Sequence, residues 1–75
     1  MPDETLCLTV NGKNREFAAT NPCSLDQVVV LLELRPDRVA IEHNGEIVPR
    51  SLWHATPIAS NDRLEVVHFV GGGIL

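Results

Sequence analysis

Hydrophobic and polar residues alternate from Thr5 to Val10. Leu6, Leu8 and Val10 fall on one face, and Thr5, Cys7 and Thr9 on the other. A period of two predicts a half-buried strand. Asn11-Gly12 follows, a strong hairpin signal because both residues tolerate positive φ. The return strand then runs from Lys13 to Ala18, with Phe17 pointing inward. After Asn21-Pro22 the period changes. Ser24 and Gln27 stand at capping-box spacing, and Leu25, Val28, Val29 and Leu32 recur at i, i+3, i+4 and i+7. That is one apolar helical face. The β-branched run Val28-Val29-Val30 weakens the helix slightly, and Pro36 closes it by steering Arg35 away from helical geometry.

The second half of the chain returns to short strands. Val39 to His43 reads as a strand with Val39 and Ile41 on one face; Asn44-Gly45 is a second turn, and Glu46-Ile47-Val48 a short return strand. Pro49 limits that ladder. The stretch from Arg50 to Ala59 is irregular, with one helical turn around Leu52-Trp53, and Asn61-Asp62 is a further turn. Arg63 to Val70 is the longest strand candidate, with Leu64, Val66, His68 and Val70 on one face and Glu65, Val67 and Phe69 on the other. The order β-β-α-β-β-β predicts a two-layer α+β domain, a mixed sheet packed on one main helix. Residues 1–70 form this domain, and 71–75 a tail.

Composition narrows the function. A chain of 75 residues forms one small domain, and such a domain buries only about 60% of its unfolded surface. With 44% hydrophobic and 21% charged residues the balance is that of a water-soluble globular protein. No apolar run approaches the roughly 20 residues that span a bilayer. The start Met1-Pro2-Asp3-Glu4 lacks the basic and apolar segments of a signal peptide. The cytoplasm is the expected location, with no membrane partner. A net charge of −4 argues against nucleic acid, whose phosphates require lysine and arginine. Cys7 and Cys23 match no zinc or redox spacing, and free thiols are expected for both in that compartment.

Catalytic chemistry is harder to find. His43, His54 and His68 are scattered without metal-ligand spacing. No Ser-His-Asp grouping carries a nucleophile elbow. The run Gly71-Gly72-Gly73 lacks the lysine and Ser or Thr of a phosphate loop. The chain is therefore expected not to be an enzyme and to bind no cofactor. Two features suit an interaction instead. Val67 and Phe69 sit on a strand face that is either covered or open for docking, and Arg50, just after Pro49, is a further candidate for a docking surface. The strand runs directly into Gly71-Gly72-Gly73, a segment with no Cβ that can enter a narrow channel.

The segment Val66-Val67-His68-Phe69-Val70-Gly71-Gly72-Gly73 resembles the C-terminus of the ThiS family, the sulfur carriers of thiamine thiazole biosynthesis. Asn44-Gly45-Glu46-Ile47-Val48-Pro49-Arg50, with Trp53 close behind, is similar to the family's central hairpin. The resemblance implies a β-grasp, ubiquitin-like fold. It also implies that the Gly73 carboxylate is adenylated by an ATP-using partner of the ubiquitin-activating type. Sulfur from a cysteine desulfurase persulfide then replaces AMP, and the resulting thiocarboxylate serves thiazole synthase. Gly71 and Gly72 would line the partner's channel. A tail of five residues from Gly71 reaches at most about 17 Å. Ile74 and Leu75 depart from this pattern, because they tie the Gly73 carbonyl into a peptide bond. Removal of both by a protease is the expectation, against activation at Leu75 or a domain that has lost carrier activity. A carrier for molybdopterin, tRNA thiolation or cysteine synthesis, and a non-carrier β-grasp interaction module, stay open as alternatives.

Overall fold

The computed structural model describes residues 4–19 and 22–69. Strand β1 (Glu4–Val10) and β2 (Lys13–Ala19) form the opening hairpin, in register from Glu4↔Ala19 to Val10↔Lys13. Asn11 and Gly12 both have positive φ, at 50° and 82°, as a type I′ turn requires. The same solution recurs between β4 (Val39–His43) and β5 (Glu46–Ile47), where Asn44 and Gly45 have φ of 51° and 92°. The last strand, β7 (Arg63–His68), lies at the centre of the sheet β2-β1-β7-β4-β5. It pairs parallel with β1 and antiparallel with β4. A mixed sheet of this order over one helix is the β-grasp arrangement expected from the sequence.

Helix α1 (Leu25–Leu31) covers the inner face. Its start follows the capping-box spacing: the Ser24 N–H donates to Gln27 Oε1 at 2.8 Å. Its buried stripe is Leu25, Val28 and Val29, at no more than 1% exposure. These meet Leu6, Leu8, Val39, Ile41, Leu64 and Val66 from the sheet. Phe17, Leu32 and Val10 pack at the margin. The helix is shorter than the apolar period and the proline suggest. It stops at Leu31 because Glu33 adopts φ of 60°. There the Leu34 N–H bonds to the Val29 carbonyl and the Glu33 N–H to that of Val30, the pattern of a Schellman cap. Pro36 instead opens a 3-10 turn, Pro36–Arg38, where its fixed φ is already suitable.

Two further elements lie outside the simple strand order. Cys23–Ser24 (β3) and Pro57–Ile58 (β6) form a separate two-stranded ladder beside the helix. The helical turn expected around Leu52-Trp53 extends over Arg50–Ala55 as a 3-10 helix. No helix among the described residues is long and apolar enough to cross a membrane.

Candidate functional site

Strand β7 sets the geometry of the candidate site. Its inner residues Leu64 and Val66 are anchored in the core, at 0% and 8% exposure. Its outer residues are not covered. Val67 is 57% exposed, and Phe69, which follows the strand, is 50% exposed. The face that sequence left as covered or open is open. An exposed apolar group of this kind on a small domain is a candidate for an interaction site.

The neighbouring strands extend the patch. Val67 stands across from Ala40 of β4. Ile47 of β5 is 67% exposed. A cleft of about 350 Å³ is lined by Phe69, Ala40, Ile47, Pro49, Arg50 and Trp53, among others. Two of the three docking candidates, Phe69 and Arg50, thus border one depression, and Val67 adjoins it through Ala40. Arg50 also borders a second groove, between α1 and the 3-10 helix, with Val30 and His54. The cleft has a firm wall because Trp53 is buried and its indole N–H donates to the Val48 carbonyl at 2.9 Å.

Ile47 and Ala40 were missed by sequence reasoning. Their signal was the strand alternation itself, because Ile47 pairs with Glu42, two residues from Ala40 on the outer face. Trp53 falls in the stretch that the sequence reads as irregular with one helical turn. Gly71, Gly72, Gly73, Ile74 and Leu75 lie outside the described residues.

From its start as far as Val66, β7 is held by polar bonds. The Asn11 side chain bonds to both backbone groups of Val66: its Oδ1 accepts the N–H at 2.7 Å and its Nδ2 donates to the carbonyl at 3.2 Å. Asp62, just before the strand, accepts from the Ala59 N–H at 3.0 Å and lies 2.8 Å from His43 Nε2. Burial alone would push the Asp62 carboxyl up, but the Ala59 N–H, His43 and Asn44 together hold it below its ordinary value. Asn44 Oδ1 accepts the Arg63 N–H at 2.8 Å. His43 is thus engaged structurally, while His54 and His68 are exposed. Cys7 is half-buried and Cys23 buried, both as free thiols; burial, then nearby Asp26, raises the Cys23 thiol. Among the described residues no three His, Cys, Asp or Glu side chains converge in a metal-binding group.

The model of the ThiS family matches residues 8–73. The chain belongs to the ThiS family. The family's sulfur carrier proteins serve thiamine biosynthesis and are not themselves catalysts. The sulfur carrier protein ThiS of Bacillus subtilis (strain 168) is 30% identical over 66 residues, 88% of this chain and 98% of that one. The crystal structure of the thiamine biosynthesis protein (ThiS) from Geobacter metallireducens has a TM-score of 0.77 at 30% identity, covering 91% of this chain and all of that one. A thiazole synthase of Paramagnetospirillum magneticum is 41% identical over 68 residues, which are 88% of this chain but only 20% of that protein. The ThiS match includes the open face of β7, the cleft around Phe69 and the triple glycine up to Gly73.

Proposed function

We propose that the chain carries sulfur to thiazole synthase as a thiocarboxylate on Gly73, and does so in the cytoplasm. A carboxylate is a poor electrophile, so it has to be activated before sulfur can attack. An adenylyltransferase of the ubiquitin-activating type binds ATP; the Gly73 carboxylate attacks its α-phosphorus, pyrophosphate leaves, and the acyl-adenylate forms. A persulfide whose outer sulfur originates on a cysteine desulfurase then attacks the acyl carbon and displaces AMP, and a thiol cleaves the S–S bond of the resulting acyl disulfide, leaving the thiocarboxylate and a new disulfide. The chain itself contributes no catalytic group and binds no cofactor. It contributes a docking surface, made of Val67, Phe69 and Arg50, and a tail in which Gly71 and Gly72 pass through the partner's channel without side-chain clashes.

One observation carries this reading: the family match runs through the glycines and stops at Gly73. The open strand face that leads toward them supports it. The thiazole synthase segment similar to nearly all of this chain supports the choice of thiazole over the other sulfur pathways. Because Ile74 follows Gly73, the Gly73 carboxyl has to be freed by cleavage of that peptide bond, and a processing protease is part of the proposal.

The test is adenylate formation with the organism's own adenylyltransferase and ATP. A chain ending at Gly73 forms the adenylate, while the 75-residue chain is inert. Equal activity of the two forms contradicts the proposal. Phe69→Asp weakens binding to the adenylyltransferase while the domain stays folded, by roughly tenfold or more for a charge placed in an apolar contact; unchanged binding removes Phe69 from the docking surface.

A further inference from the structure

The outer face of the sheet divides into two chemically different parts. Ala40, Val67, Phe69 and Ile47 make an apolar part at the end where β7 leaves the sheet. The row beside it carries two carboxylates. Glu42 of β4 stands directly across from Glu65 of β7, and on its other side pairs with Ile47. Glu42 is half-buried and Glu65 exposed.

Like charges directly opposite each other in an antiparallel pair destabilise a sheet. Neither glutamate forms a salt bridge among the described residues, whose ion pairs involve only Arg35, Asp37, Arg38, His43 and Asp62. Arg63 is two residues from Glu65 along the same face but does not pair with it. The free domain therefore keeps an acidic pair without an ion-pair partner among the described residues, against the rim of this exposed apolar patch. Folding does not account for that arrangement. A partner that brings a cation to the pair does.

We propose that this face docks a surface of the activating adenylyltransferase that has an apolar centre and an arginine or lysine at its edge. The cation enters between Glu42 and Glu65 while the apolar group covers Val67 and Phe69. The inference rests on the carrier reading above, and adds to it the charge of the partner's surface. The net charge of −4 favours the same sign of partner at long range. Two carboxylates side by side suit the forked guanidinium of arginine better than the point charge of lysine.

The test is binding of the organism's adenylyltransferase to the 75-residue chain and to the chain ending at Gly73, at low and high salt. Each is compared with its Glu42→Gln, Glu65→Gln double variant. Both substitutions keep shape and remove charge. The double variant binds roughly three- to tenfold more weakly at low salt and loses most of its salt dependence. It also melts about 1–5 °C higher, because the repulsion within the free domain is gone. Affinity and salt dependence equal to those of the unsubstituted chain overturn the inference. If the unsubstituted chain ending at Gly73 both binds and forms the adenylate while its variant matches it at every salt concentration, the carrier reading stands and the acidic pair has no role in docking. If the unsubstituted chain ending at Gly73 neither binds nor forms the adenylate, the carrier reading fails and this inference fails with it.

Discussion

The two ends of β7 are built on opposite plans. From Arg63 to Val66 the strand is bonded on both sides: to β1 through Thr9 and Val10, to β4, and through Asn11 to Val66. Its side chains there reach into the core, with Leu64 fully buried. At its far end no strand among the described residues lies on the β1 side, because the β1 ladder ends at Val10↔Leu64. Among the described residues, pairing continues only on the β4 side, to Val39↔His68 and the bond from the Phe69 N–H to the Arg38 carbonyl at 2.9 Å. The side chains of Val67 and Phe69 face outward. One strand is thus a fixed anchor at one end and a presenting surface at the other. The proposed function needs both, since a tail that is to enter a partner's active site has to start from a base whose position is set.

The largest effect separates the two ends by burial. Leu64→Ala removes about 2–4 kcal/mol of stability, read from urea unfolding, because it leaves a cavity in the closed core. Val67→Ala changes stability by only about 0.5 kcal/mol, as expected for an exposed position. Similar losses at both sites would erase the contrast.

The next effect concerns the Asn11 clamp. Asn11→Gly keeps the positive φ of the turn but deletes both bonds to Val66, and costs about 1–2 kcal/mol. Asn11→Asp retains an acceptor for the Val66 N–H and loses only the donation to its carbonyl, so it falls between. Hydrogen exchange at the Val66 amide reports the clamp directly: fast in the glycine variant, slow in the aspartate variant. Equal protection in all three forms would show that the amide does not hold the strand.

A smaller effect is set by pH. The folded state holds the Asp62 carboxyl below its ordinary value of 3.8. The ionised form is therefore favoured in the folded state. Its contribution is fully present above that ordinary value and is lost as pH falls through the lower folded value. Asp62→Asn is less stable than the parent chain at neutral pH, and the gap closes on acidification below 3.8. Chemical denaturation of both proteins across that range checks the sign. A gap that widens in acid would reverse it.

Much of this contrast was legible in the amino-acid sequence, for local reasons. Asn11-Gly12 and Asn44-Gly45 announce their turns because few residues tolerate positive φ at both central positions. Ser24 and Gln27 announce the helix start through one short-range bond. The alternation in β7 separates Leu64 and Val66 from Val67 and Phe69, but it does not reveal which face a second layer covers. Valine at 66 and valine at 67 are chemically the same; only the position of α1 makes one buried and the other exposed. The Asn11 clamp spans 55 residues of sequence and leaves no local mark beyond the turn it also makes. The helix end escaped for a different reason. Glu33 is a poor choice for a left-handed position, and the proline three residues later is the more visible stop.

The Glu42–Glu65 pairing belongs to the same class of hidden information. Each glutamate alone reads as a solvated surface residue. Only the register of β4 against β7 sets them opposite each other beside Val67 and Ile47.

The most direct measurement is the intact mass of the protein isolated from its own cells. The account predicts a species that ends at Gly73 and carries one sulfur in place of a carboxyl oxygen. A population that retains Ile74 and bears no sulfur while thiamine synthesis proceeds would contradict it.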